Sequence, residues 1–134
     1  MTAPIVTRRF PDVTRLLVTA LEVWVDGDPD RTGPETPDDL QDRMPFIRAY
    51  RIGGGRNRLS DFPTVALDVF AASYSAAESL AEDIDQWLCG PPPPIAVFDR
   101  VERDTAPRRL PWGDETLFRF GAQYTVVTRR VPRT

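Results

Sequence analysis

Val13, Leu16, Leu17, Ala20, Leu21 and Trp24 recur at intervals of three and four, the spacing of one apolar helix face. Pro11 and Asp12 stand at its start, where proline is tolerated in the first turn and aspartate suits the unpaired N–H groups. A second stripe, Ala77, Leu80, Ala81, Ile84, Trp87 and Leu88, predicts another helix. Ser75 lies three residues before Glu78, the spacing of a capping box, and Gly90 follows the last turn.

Between the helices the period falls to two. Pro45 to Ile52 predicts a half-buried strand, Gly53-Gly54-Gly55 a reversal, and Phe62 to Ala71 a returning strand in which Val65, Leu67 and Val69 alternate with Thr64, Ala66, Asp68 and Phe70. Four prolines at 91 to 94 cannot continue a helix and predict a stiff, extended connector. Beyond them the pattern predicts a third strand from Ile95 to about Glu102, a loop from Asp104 to Asp114, and a long fourth strand, Glu115 to Arg129, with Phe118, Phe120, Ala122, Tyr124 and Val126 on one face. Residues 130–134 form a tail expected to fray.

From Glu22 to Asp42 eight acids face the single Arg31, so segment 26–44 reads as a solvated acidic loop, with a short strand near Glu35-Thr36. The full chain, 134 residues, suits one domain that buries roughly two thirds of its unfolded surface. All 17 basic residues are arginine, with no lysine and no histidine, a bias that suggests a GC-rich genome. Without imidazole the chain lacks the usual base near neutral pH and the commonest metal ligand, and Cys89 alone supplies neither a disulfide nor a thiolate cluster. A net charge of -3 argues against a dedicated nucleic-acid binder. Neither a targeting signal nor a membrane-length apolar run is seen, and the expectation is folding in a cytoplasm.

Candidate chemistry is sparse. Gly53 to Arg58 places glycines beside arginines, but a phosphate loop leads from a strand into a helix, and here the glycines lead from strand to strand. Asp38-Asp39, Glu82-Asp83-Asp85 and Asp99-Glu102 read as solvated or salt-bridged carboxylates without signs of burial, because acid–base work needs burial to separate the pKa values. Cys89, before Gly90 at a helix end, has no basic neighbour to activate it. Trp112 lies in a loop of prolines and glycine, where it either folds back over its own core or covers a neighbour's surface. No catalytic residue, cofactor or metal ligand is assigned.

Thr36-Pro37-Asp38-Asp39-Leu40, Met44 to Arg48, Arg51 to Gly55, Asp61-Phe62-Pro63, Leu67 to Ala71 and the alanine-rich stretch Ala76 to Leu88 resemble the tail terminator proteins of long-tailed, siphovirus-type bacteriophages, most closely those of phages of GC-rich actinobacteria. The resemblance extends to Leu117 to Thr128. It implies an α+β domain over 1–134, a mainly antiparallel sheet of about four strands with two main helices on one face, in agreement with the order α-β-β-α-β-β. It further implies a structural virion protein, not an enzyme. Such a protein forms a six-subunit ring that caps the tail tube, stops its polymerisation and joins it to the head–tail connector, with DNA passing through unbound. Heterologous ring contacts need two complementary surfaces. Arg48, Arg51, Arg56, Arg58 and Trp112 are the candidate interface, and Asp28, Asp30, Asp38 and Asp39 the candidate channel loop. A head-closure or connector protein is the alternative within the virion. A small nucleotide- or phosphate-binding enzyme built on the glycines is the alternative outside it.

Overall fold

The computed structural model describes residues 2–132. Strand β1 (Arg8–Arg9) leads into helix α1 (Val13–Leu21), whose N-cap is Asp12, with its side chain accepting a hydrogen bond from the Arg15 amide. A short 3-10 helix, Glu22–Val25, continues α1. There follow β2 (Thr32–Gly33), β3 (Phe46–Arg56), β4 (Ser60–Ala71), α2 (Tyr74–Leu88), β5 (Phe98–Leu110), β6 (Phe118–Arg129) and β7 (Val131–Pro132). The main sheet has five strands, not four, in the order β2-β3-β4-β6-β5; only the β2–β3 pair is parallel. β1 and β7 pair separately, Arg8 opposite Pro132.

Both helices pack on one face of this sheet. Leu17 and Leu21 of α1 and Ile84 and Leu88 of α2 share a core with Ile47, Val69 and Tyr124 of the strands. The period-two reading of β4 and β6 therefore describes real faces, whereas several boundaries move. Ser73 caps α2 in place of Ser75, its Oγ accepting from the Ala76 amide at 3.2 Å. β5 begins at Phe98, not Ile95, and runs into the expected loop 104–114 as far as Leu110, taking in Pro107 where its register with β6 shifts between Thr105 and Arg108. A proline survives there because an edge strand has one unpaired side and a bulge interrupts the ladder.

The glycine triplet does not make the turn. Gly53, Gly54 and Gly55 lie in β3 opposite Thr64, Pro63 and Phe62, after a bulge between Arg51 and Gly53. Gly54 has φ +105°, and a Cβ there would fall 2.0 Å from the Phe62 carbonyl oxygen, so close backbone approach demands glycine. Reversal occurs at Asn57, whose Oδ1 accepts from the Leu59 and Ser60 amides at 2.9 and 2.8 Å.

Segment 26–44 is likewise more than a solvated loop. It holds two 3-10 turns, Pro29–Arg31 and Leu40–Asp42, and its strand lies at Thr32–Gly33, not near Glu35-Thr36. Leu40 anchors it in a second apolar cluster with Phe46, Phe70 and Leu117 on the face away from the helices. The tail expected to fray is tied down at Val131–Pro132 by β1; Arg133 and Thr134 lie outside the described residues. Among the described residues no helix is long and apolar enough to cross a membrane.

Candidate functional site

Three buried aspartates organise the arginines. Asp68, central in β4, accepts from Arg48 of β3 (Nη2–Oδ2 2.5 Å) and from Arg119 of β6 (Nε–Oδ1 3.1 Å) on the face away from the helices. Gly121 makes the space, since a Cβ there would lie 2.8 Å from Asp68 Oδ1. Trp112 lies beside this cluster, edge-on to Phe70 at 4.8 Å, with the Arg119 and Arg48 guanidinium carbons 5.7 and 6.0 Å from its ring centre. Within the subunit Trp112 packs over its own sheet and stays half-buried.

Asp61, fully buried, accepts bidentate bonds from both Arg51 and Arg56 at 2.7 to 3.1 Å. Burial by itself would raise its carboxyl; hydrogen bonds from Arg56 and Arg51 outweigh that and hold it below the usual carboxylate range. A lowered folded pKa gives stability that is complete above the unfolded pKa of about 3.9 and is lost as pH falls toward the folded value. Asp61→Asn is therefore expected to be less stable than the parent at neutral pH and to show a flatter acid limb. Unfolding free energies measured down an acid series check this; parallel curves for the two proteins would mean that Asp61 does not supply the slope.

Asp85 is the third, and it corrects the placing of Glu82-Asp83-Asp85 on an exposed helix face: Asp85 is only 2% exposed, and of the two roles read for it, solvated or salt-bridged, it takes the second with Arg103. Arg103 of β5 and the Tyr124 hydroxyl of β6, the latter at 2.8 Å, donate to its carboxylate and tie α2 to the sheet. Burial, then the bond to Asp85, pushes the Tyr124 hydroxyl up. Burial, then the Asp85 charge, also raises the Cys89 thiol, which opposes a nucleophilic thiolate.

Arg48, Arg51 and Arg56 thus spend their donors within the subunit, while Arg58 projects from the hairpin tip with no side-chain bond among the described residues. In the acidic segment Asp28 pairs with Arg31 and Asp39 with Arg43, and Asp30 and Asp38 are exposed without an ion pair among the described residues. Two groups escaped the sequence reading. Asp68 had a usable signal, as the one charge within the apolar run Val65–Ala71, and Asp61 had a weaker one, since it heads the face that continues Pro63, Val65, Leu67 and Val69. Phe10 had none: its ring lies between the Arg56 and Arg130 guanidinium groups, at 4.5 and 4.8 Å. This stack lines an open groove of about 420 Å³ with Arg9 and Asp12.

Among the described residues no group of three or more His, Cys, Asp or Glu side chains is placed to hold a metal ion. The arrangement is one of internal ion pairs and charged, open surfaces. Residues 9–92 match a family model described as phage tail termination protein, a span that runs from β1 past the end of α2 and stops short of β5. No curated protein matches the chain at a significant level.

Proposed function

The chain belongs to the phage tail termination protein family, and from that membership we propose that it forms a six-subunit ring that caps the tail tube, stops its polymerisation and joins it to the head–tail connector. The observation that carries this reading is the match over residues 9–92, which takes in α1, the β3–β4 hairpin and α2. Family membership makes the chain a structural component of a bacteriophage tail, located in the virion. The all-arginine basic set supports a GC-rich host, as in phages of actinobacteria.

The fold suits a ring subunit. Buried aspartates that clamp strands β3, β4 and β6 and helix α2 stiffen the sheet, so the contact surfaces are presented without rearrangement. A closed ring needs heterologous contacts, and the molecule carries unlike surfaces at its two ends.

The test is tube length. Tube protein polymerised with the purified chain is expected to give short tubes with a ring at one end in electron micrographs, and overlong tubes without it. Unchanged lengths together with binding to the connector protein would favour a head-closure role. Unchanged lengths with no binding to either would end the proposal.

A further inference from the structure

Unpaired charge of opposite sign gathers at the two ends of the subunit. At the far end of the sheet, around the β3–β4 turn and the β1–β7 pair, Arg8, Arg9, Arg58 and Arg130 are exposed and have no carboxylate partner among the described residues. Of the aspartates nearby, Asp61 is paired with Arg51 and Arg56 and Asp99 with Arg129 at 2.9 Å, while Asp12 caps α1 through the Arg15 amide and is the one carboxylate lining the groove, against Arg9, Arg56 and Arg130. Arg130 is held in place, donating to the Arg58 and Arg8 carbonyls at 3.2 and 3.4 Å and stacking on Phe10. The surface is therefore a broad basic patch: Arg9 and Arg130 line one open groove with Phe10, Arg56 and Asp12, Arg8 and Arg130 border the next, and Arg58 stands at the turn beside the exposed Leu59.

The opposite end carries the matching excess. Asp26, Asp30, Glu35, Asp38 and Asp42 are exposed with no ion pair among the described residues, and Arg31 and Arg43 already serve Asp28 and Asp39. Two contacts locate this segment beside the start of β3: Thr32 pairs with Ile47, and Arg43 donates to the Asp30 carbonyl. The basic patch lies past Arg56, at the other end of the same strand. Ten strand steps separate them, roughly 33 Å at about 3.3 Å per residue. That is several times the screening length of about 8 Å at physiological salt, so the two ends do not neutralise each other within one subunit.

We propose that the basic surface formed by Arg8, Arg9, Arg58 and Arg130 binds the acidic segment 26–42 of a second copy, head to tail, and that this is the contact which closes the ring. The inference rests on the ring reading above and adds the surfaces that meet. Arginine suits the role, since its planar fork matches carboxylates bidentately. Exposed Leu59, and Val97 in the adjoining groove, favour a protein occupant over a phosphate backbone because apolar contact is useful only against another protein surface. The carboxylates expected to line a channel are the same ones, and a channel wall is the rival use of that segment.

A charge swap tests it with the full chain. Arg9→Glu/Arg58→Glu alters side chains with no ion pair within the subunit, and Asp38→Arg/Asp42→Arg does the same at the other end. Each double variant is expected to weaken association by at least about tenfold in sedimentation velocity, as like charges meet at every contact. Mixing the two variants is expected to restore rings, since reversed patch then meets reversed segment and native meets native around an alternating six. Association of the parent protein should also weaken as salt rises.

Loss of rings without rescue on mixing, with circular dichroism unchanged, would overturn the contact while leaving the ring. So would rings that survive both reversals. Duplex DNA bound by the parent and not by Arg9→Glu/Arg58→Glu, with rings intact, would reassign the patch to phosphate. A parent chain that stays monomeric at its highest soluble concentration and also fails to cap tubes removes the ring reading itself.

Discussion

Asp68→Ala is expected to lower the unfolding free energy by about 3–5 kcal/mol, the range for removing one partner from a buried ion cluster. The side chains left behind decide the size of the effect. Arg48 and Arg119 are only 17% and 21% exposed, held between Tyr50, Phe70 and Trp112, so neither guanidinium regains full hydration without disturbing the sheet. Urea titration checks this through the midpoint at constant slope. A loss below about 1 kcal/mol would show that both arginines swing into water, as exposed pairs do. Replacing the whole cluster, Arg48→Met/Asp68→Leu/Arg119→Met, is expected to recover much of the loss, because apolar groups of similar volume carry no desolvation cost.

Ile84→Ala is expected to cost about 2–5 kcal/mol by removing buried methyl groups and leaving a cavity. Ile84 is fully buried in the core between α2 and the sheet, with Ala81 and Leu88 on the same stripe. Leu80→Ala should cost less. Leu80 is half-buried at the edge of that stripe and borders an open apolar cleft with Met44 and Pro45, so its truncation leaves space that water already reaches. Equal losses for the two would mean that α2 sits rotated from the face described. Thermal or urea unfolding of both variants gives the comparison directly.

Structural stability and assembly are separable in this molecule for a physical reason. The arginines that hold the sheet together, Arg48, Arg51, Arg103 and Arg119, are bound to buried aspartates. Those left for a partner, Arg8, Arg9 and Arg58, lie on short or terminal elements where reversal leaves the core intact. Arg56 belongs to both groups, since it serves Asp61 and stacks on Phe10. It is consequently a poor choice for an assembly test, although its place in the turn sequence makes it the first candidate.

The local code alone determined both helices and the two faces of β4 and β6, since each rests on periodicity over about a dozen residues, and the order of those elements agrees with the α+β class that the resemblance implies. It also determined that chemistry based on imidazole or on paired cysteines is absent from this chain. Tertiary structure decided what depends on approach between distant segments. Gly54 reads as a turn residue until Phe62 is seen crossing 2.0 Å from where its Cβ would be. Asp85 reads as solvent-facing until Arg103 and Tyr124, 18 and 39 residues away, converge on it. Pro107 reads as a loop residue until β5 becomes an edge strand with bulges to hold it. The separation of acidic and basic ends likewise appears only once β3 is laid straight between them. Sequence carries the sign of each charge and the period of each element; which charges neutralise one another is set by distance in the folded chain.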